Sequence, residues 1–307
     1  MLNVLSLFDG MAGGLEALKR TQHGVNKYYA SEIDKWAMQV AKKNHPEIIH
    51  LGDVQNWREW DIEKPDIIIG GSPCQGFSKA GMRLNFDDER SKLFFTFVDI
   101  LNYHKPKYFL LENVKMKEEW SNIITSLVGV PPIRINSNLV SAQNRDRLYW
   151  TNIPTSQPKD KGIMFADIIE DGFVDREKSL ALVSTYYKGP NPYLYFKKSN
   201  KQIVLGGAIR NYKNEDGIWK PLFQTSYIQK SNAITAGGRD THLAVFPKAE
   251  SYRRLTPVEC ERLQTYPDGY SDGCSNTQRF KMLGNSFTVD VIAHILSGIG
   301  KEETEWL

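Results

Sequence analysis

A mostly parallel α/β sheet wrapped by helices, carrying a second, smaller and loop-rich domain, is the fold class this sequence predicts. Three observations lead there. In the first half, β-branched apolar runs alternate with amphipathic stretches, the pattern of strands joined by crossover helices. A chain of 307 residues is long for one small core and suits a large domain with an appendage, since domains usually hold about 100 to 200 residues. Past about Pro154 the texture changes to Gly-Pro-Asn-Pro, Lys-Ser-Asn and Gly-Gly punctuation between short Tyr- and Phe-rich runs.

Taken in order, the apolar runs predict strands over residues 3–7, 27–30, 66–69 and 108–111, and a late strand over 148–150. Helical spacing of apolar residues predicts helices over 35–43, 93–103 and 120–127. After Tyr252 two helical segments return, 256–265 and 286–298, with Pro257 near the start of the first, where its missing N–H costs nothing. The expected division is 1–153 for a catalytic and cofactor-binding domain, 154–252 for the loop-rich domain, and 253–307 for helices returning to the first.

Composition narrows the function. No apolar run approaches the roughly 20 residues needed to cross a bilayer, so membrane functions drop out. The N-terminus lacks the basic flank and cleavage site of a secretory signal, and a cytoplasmic protein is expected. Cys74, Cys260 and Cys274 are an odd number without metal-ligand spacing, so neither a disulfide framework nor a metal site is expected. The net charge of +3 is too small to announce a nucleic-acid binder. Between Thr155 and Glu250, however, 14 Lys and Arg stand against 10 Asp and Glu, so the positive excess is local.

The residues suited to chemistry fall at the carboxyl ends of the predicted strands, where sheets of this kind bind ligands. Phe8-Asp9-Gly10-Met11-Ala12-Gly13-Gly14 follows the first strand and precedes a helix, so backbone there can approach a ligand at a positively polarised helix end. Glu32, at the end of the second strand, is placed to bind ribose hydroxyls, and Asp53 to accept from an adenine amino group. A nicotinamide dinucleotide site explains these residues equally well. Gly70-Gly71-Ser72-Pro73-Cys74-Gln75-Gly76 puts a cysteine on a stiffened turn beyond a buried strand, where its thiolate could attack an electron-poor carbon. Leu111-Glu112-Asn113-Val114 brings a carboxylate to the neighbouring strand end, and Gln143-Asn144-Arg145-Asp146-Arg147 supplies two fixed cations. A solvated strand cap and a surface ion-pair cluster are the plain alternatives for these last two.

In this order the segments resemble the cytosine-5 DNA methyltransferase family, over nearly the whole chain except about a hundred residues before Tyr252. The resemblance rests on Phe8-x-Gly10, Glu32, Asp53, Pro73-Cys74-Gln75, Glu112-Asn113-Val114, Gln143-x-Arg145-x-Arg147, Arg254-Leu255-Thr256-Pro257-x-Glu259-x-x-Arg262-Leu263-Gln264 and Gly284-Asn285-Ser286. Where most members have Phe-x-Gly-x-Gly-Gly, this chain has Phe-Asp-Gly-Met-Ala-Gly-Gly, a form similar to the vertebrate de novo DNA methyltransferases, as are Lys92-Leu93-Phe94-Phe95 and Val140-Ser141-Ala142. The tRNA-modifying branch is disfavoured because its Cys-Phe-Thr sequence is absent. A nicotinamide-dependent oxidoreductase leaves Pro-Cys-Gln and Gln-x-Arg-x-Arg without purpose, and a catalytically dead DNA-binding regulator is disfavoured by the intact Cys74, Glu112 and Arg145.

The resemblance implies a Rossmann-like S-adenosylmethionine-dependent methyltransferase sheet with a target recognition domain, acting on double-stranded DNA. It implies Cys74 as the covalent nucleophile at carbon 6 of cytosine, Glu112 on ring nitrogen 3 and the exocyclic amine, Arg145 on the carbonyl oxygen, and Arg147 bracing them. S-adenosyl-L-methionine would be held by Phe8, Asp9, Gly10, Gly13, Glu32, Ile33, Asp53, Val54, Pro73, Leu93, Asn285 and Ser286. DNA would be met by Gln75, Ser78, Arg83 and Arg90 on a mobile loop, and by Arg210, Asn211 and Thr235 in the recognition domain. Also expected are a monomer, no metal, a place in the nucleoid or a phage-infected cell, and pairing with a restriction endonuclease.

Overall fold

Seven strands form one sheet in a computed structural model that describes residues 1–71, 92–190, 195, 201–205 and 252–301, with 89–91, 210–213 and 219–222 described by backbone alone. In chain order they are β1 (Leu2–Leu7), β2 (Val25–Ser31), β3 (Ile49–His50), β4 (Ile67–Gly70), β5 (Tyr108–Val114), β6 (Pro132–Asn136) and β8 (Asp146–Thr151), β7 (Gln143–Asn144) lying outside the sheet. Their spatial order is β3-β2-β1-β4-β5-β8-β6. The first five run parallel, and β8 is antiparallel to both β5 and β6. The order reverses at β1, so the ends of β1 and β4 open the crevice in which such sheets take ligands.

Helices cover both faces, which is why the central strands are apolar throughout. Val4, Ile67 and Ile69 enter a core shared with α1 (Gly13–Leu18) and α2 (Lys35–Asn44). Leu5, Leu7 and Ile68 enter a second core under α3 (Glu89–His104) and α4 (Glu118–Val128). Period-2 alternation sends successive residues to opposite cores, and each fully buried Leu or Ile contributes about 1.5 to 3 kcal/mol. Asp34 caps α2 by accepting from the Trp36 N–H, and Gly129 at φ 81° ends α4 in the left-handed conformation that glycine adopts without a Cβ clash.

Three helices close the chain: α5 (Pro257–Leu263), α6 (Asn276–Asn285) and α7 (Val289–Leu296). Thr256 and Glu259 form a reciprocal capping box around Pro257 at the start of α5. α7 packs its Val291, Ile292 and Ile295 into the first core beside α1. Sequence periodicity did not find α6, whose exposed Asn276, Lys281 and Asn285 interrupt the apolar spacing of Phe280 and Leu283, nor the edge strands β3 and β6.

Past Pro154 the described residues form short paired segments. β9 (Ser179–Leu180) pairs with β7, β10 (Ile203–Leu205) pairs with β13 (Tyr252–Arg254), and the backbones of β11 (Arg210–Lys213) and β12 (Trp219–Leu222) form a hairpin pair. Phe165, Leu182 and Tyr186 join the first core, whereas Tyr195, Ile203, Leu205 and Tyr252 make a small cluster of their own. Among the described residues no helix is long and apolar enough to cross a membrane.

Candidate active site

The candidate cofactor loop, Phe8–Gly14, is held in an uncommon backbone shape. Phe8, Gly10 and Ala12 have φ of 58°, 61° and 62°, so every second residue from the end of β1 into α1 is left-handed. Ala12, the residue before α1, bears that conformation with a Cβ, at a cost near 1 to 2 kcal/mol. Glu32 stitches the loop down: its carboxylate accepts from the N–H groups of Gly10, Ile33 and Asp34, each at 2.8 Å. A carboxylate has about four acceptor sites, so Glu32 keeps one for a hydroxyl. Beside it the Ile33 side chain is 71% exposed at the rim, an apolar surface suited to a flat ring.

A second anchor comes from below. The Tyr270 hydroxyl donates to the Met11 carbonyl at 2.7 Å and lies 3.0 Å from His45 Nε2, while Lys19 Nζ is 2.7 Å from His45 Nδ1. The hydroxyl's one proton goes to Met11, so its oxygen accepts from Nε2–H, and Nδ1 is left to accept from Lys19. The ring is therefore neutral. Burial first, and Lys19 second, hold its pKa below the usual histidine value.

Asp9 is 5% exposed and lies beneath the loop, with the Tyr28 hydroxyl donating to Oδ1 at 2.7 Å. Burial pushes its pKa up to about 7, against the pull of the nearby Ser6 and Tyr28 hydroxyls, and the Glu32 charge adds to the rise. Asp53 caps the 3₁₀ turn Val54–Glu59 by accepting from the Gln55 N–H at 2.9 Å with Oδ1, leaving Oδ2 uncommitted. Val54 turns its side chain into the second core, and Leu93 is half-buried against the same core. Asn285, at the end of α6, is exposed, and the Ser286 hydroxyl donates to the Phe287 carbonyl at 2.9 Å.

Two residues outside the sequence-based set shape this region. A Cβ on Gly13 would lie 2.5 Å from the Tyr266 hydroxyl and 3.5 Å from the Phe287 ring; one on Gly71 would meet the same ring at 3.0 Å and Glu112 Oε2 at 3.3 Å. Phe287 thus stands between the cofactor loop and the end of β4. Its position after Gly284-Asn285-Ser286 was the available signal.

The sheet brings Glu112 and Arg147 together. Glu112 sits inside β5, which continues to Val114, and Tyr149 is its partner on β8. Arg147, opposite Val114, places Nε 3.0 Å from Glu112 Oε1, with both side chains mostly buried at 15% and 13% exposure. Arg145 goes elsewhere. Its 4% exposed guanidinium donates to the carbonyls of Leu182 and Ser286, both at 2.9 Å, tying the segment after β9 to the end of α6. Burial, then the neighbouring Arg147, lowers its pKa to about 10, which leaves it charged at neutral pH.

Pro73, Cys74, Gln75, Ser78, Arg83 and Thr235 lie outside the described residues, as do the side chains of Arg90, Arg210 and Asn211. Among the described residues no group of His, Cys, Asp and Glu could hold a metal ion.

The family model for C-5 cytosine-specific DNA methylase matches residues 2–127 and 135–301. The chain is 31% identical over 297 residues to the type II methyltransferase M.NgoBI of Neisseria gonorrhoeae, covering 95% of this chain and 91% of that one. It is 30% identical over 319 residues to the type II methyltransferase M.HpaII of Haemophilus parainfluenzae, covering 94% and 86%. In fold it is similar to the crystal structure of DNMT2 from Spodoptera frugiperda, with a TM-score of 0.64 at 22% identity over 97% of this chain and 99% of that one. With its parallel sheet, its glycine-bearing cofactor loop and its paired Glu112 and Arg147, the chain belongs to the C-5 cytosine-specific DNA methylase family and is a methyltransferase.

Proposed function

We propose that the chain methylates carbon 5 of a cytosine flipped out of a specific duplex DNA sequence, with Cys74 as the covalent nucleophile. The observation that carries this reading is the Glu112–Arg147 pair, 3.0 Å apart, beside Gly71, from which the chain runs directly into Ser72-Pro73-Cys74. Carbon 5 is a poor nucleophile until a thiolate adds at carbon 6, so a donor set for the ring's polar edge must lie within reach of the cysteine. Glu112 hydrogen-bonds ring nitrogen 3 and the exocyclic amine, drawing charge toward nitrogen as the thiolate adds. Arg147, already aligned with Glu112, takes the carbonyl oxygen, and Arg145 holds the floor through Leu182 and Ser286. These roles exchange those that the family resemblance alone suggests for the two arginines. The carbon-5 proton leaves to water as Cys74 is eliminated.

The cleft fits S-adenosyl-L-methionine. Gly10, where an added Cβ would meet nothing within 4 Å, leaves backbone uncovered, Glu32 has an acceptor site to spare for a ribose hydroxyl, Asp53 Oδ2 has no partner among the described residues and suits an amino group, and Ile33 offers an apolar face. Phe8, Asp9, Val54, Pro73, Leu93, Asn285 and Ser286 complete the proposed surround. Bound there, the cofactor supplies an electrophilic methyl group. Gln75, Ser78, Arg83 and Arg90 contact the DNA backbone and the gap left by the flipped base. Arg210 and Asn211, on β11, read base edges, and Thr235 supports the flipped base. A monomer acting in the cytoplasm on nucleoid or phage DNA, paired with a restriction endonuclease of the same site, fits relatives named type II methyltransferases.

The test is a duplex with 5-fluorocytosine in the target. That carbon has no proton to lose after methyl transfer, so wild-type protein with cofactor should form a denaturant-resistant complex, and Cys74→Ala should form none. Absence of the complex with wild type, or its presence with Cys74→Ala, overturns the mechanism.

A further inference from the structure

Asp9 is an acid at the turn of the Phe8–Gly14 loop, and among the described residues no cation pairs with it. Tyr28 donates to Oδ1, while Oδ2 is buried without a hydrogen-bond partner. Among the described residues the groups that act on it are neutral or negative. β1 presents the Ser6 hydroxyl, the end of β2 presents Glu32, and the segment after α5 presents the hydroxyls of Tyr266 and Tyr270, on which Asp9, Glu16 and Arg20 all act. Arg20 on α1 is taken up by Glu16 and Asp290, at 2.9 and 2.6 Å. One firm donor, a neighbouring carboxylate and, among the described residues, no unpaired cation favour the neutral acid, in keeping with a pKa near 7.

S-adenosylmethionine, the cofactor of the proposed function on which this inference rests, carries a sulfonium and an ammonium. We propose that Asp9 is a proton-linked counter-charge for the cofactor loop: neutral in the free chain, it releases its proton to solvent when the cationic cofactor settles on the Gly10–Gly13 backbone. Asp9 acts through the loop above it and is a positioning residue. Its oxygen lies under the backbone that carries the ligand, and ionisation gives Oδ2 the charge that the cofactor balances. Cofactor affinity therefore rises with pH up to the pKa of the free acid.

Isothermal titration calorimetry reads this directly. S-adenosylmethionine is titrated into the full chain at pH 6.5 in phosphate and in imidazole, whose ionisation enthalpies differ. At that pH the cofactor's own amine is already protonated, since such amines titrate near ~8. The wild type should release more than half a proton per cofactor, falling toward none by about pH 8.5, as expected for an acid with a pKa near 7. Asp9→Asn should release none at either pH, and Tyr28→Phe, which removes the one firm donor, should extend the release to higher pH. Heat independent of buffer in wild type, or an equal release from Asp9→Asn, overturns the inference while leaving the cofactor assignment intact. Absence of binding by wild type overturns the cofactor assignment itself.

Discussion

The two arginines of Gln143-x-Arg145-x-Arg147 do different work, and their substitutions should separate. Arg145→Ala leaves the Leu182 carbonyl buried without its donor and the Ser286 carbonyl with only the Gln264 amide at 3.4 Å, at about 1 to 3 kcal/mol, so thermal unfolding should come several degrees earlier. Arg147→Ala strips the mostly buried Glu112 of its ion partner, so it too should cost some stability, but its mark is kcat lowered by roughly 10²- to 10³-fold, the loss expected when one charge-stabilising donor goes. Equal kinetic defects with equal stability would contradict this division. Asp9 makes a pH-dependent case with a definite sign. Its folded pKa is raised to about 7 from 3.8, so the stability it permits is fully present below pH 4 and is lost as pH rises through 7. Asp9→Asn should therefore stabilise the cofactor-free chain more at pH 8 than at pH 4, by a margin on the order of 4 kcal/mol at most. Urea titrations at the two pH values measure that margin.

At the scale of the element, the Phe8–Gly14 loop is a strained turn held from both sides, by Glu32 on the Gly10 N–H and by Tyr270 on the Met11 carbonyl. Tyr270→Phe keeps the ring in the core but leaves the Met11 carbonyl without its donor, so stability should fall by about 1 to 2 kcal/mol and cofactor affinity with it. Calorimetry and denaturant melts read the two effects separately, and unchanged affinity would show that the anchor is structural alone. Ala12→Gly relieves the left-handed strain, yet it gives up a buried methyl worth about 0.8 kcal/mol and adds backbone entropy to the unfolded chain. These terms nearly cancel, and the melting temperature should move little.

For the molecule as a whole, one contact that ties the segment after β9 to the closing helices is the packing of α6 against the Ser184–Lys188 turn. Gly284 allows it: an added Cβ would run into the backbone of Val183 and Ser184, which cannot move as a flexible side chain can. Gly284→Ala should cost about 1 to 3 kcal/mol or more and loosen the Leu182 carbonyl held by Arg145, which thermal melts and loss of the Arg145 effect in the double variant would show. Under the proposed function, sequence preference rests on Arg210 and Asn211. Arg210→Ala should relax the target preference by about 1 to 3 kcal/mol, read by bisulfite sequencing of a randomised library, whereas losing a phosphate contact weakens all targets alike. An unchanged site profile would place the reading surface elsewhere.

The parallel sheet, its helices and the candidate residues at its carboxyl edge were legible in the sequence because local patterns write them. Buried central strands such as β4 must be continuously apolar, and turns such as Phe8–Gly14 must carry glycine. Edge strands β3 and β6 and helix α6 escaped because their exposed faces dilute the apolar period. Resemblance to the family named Glu112, Arg145 and Arg147 together, yet only the tertiary structure decided that Arg147 meets Glu112 while Arg145 is spent on two carbonyls. Strand alternation says that two residues share a side; it does not say which acceptors more than 30 positions away will claim a guanidinium. The same holds for Phe287, Tyr266 and Tyr270, whose places beside Gly13, Gly71 and Met11 exist only once α5 and α6 fold back on the loop after β1. Local pattern sets the element, and the long-range packing of elements sets which of their polar groups are left free to do chemistry.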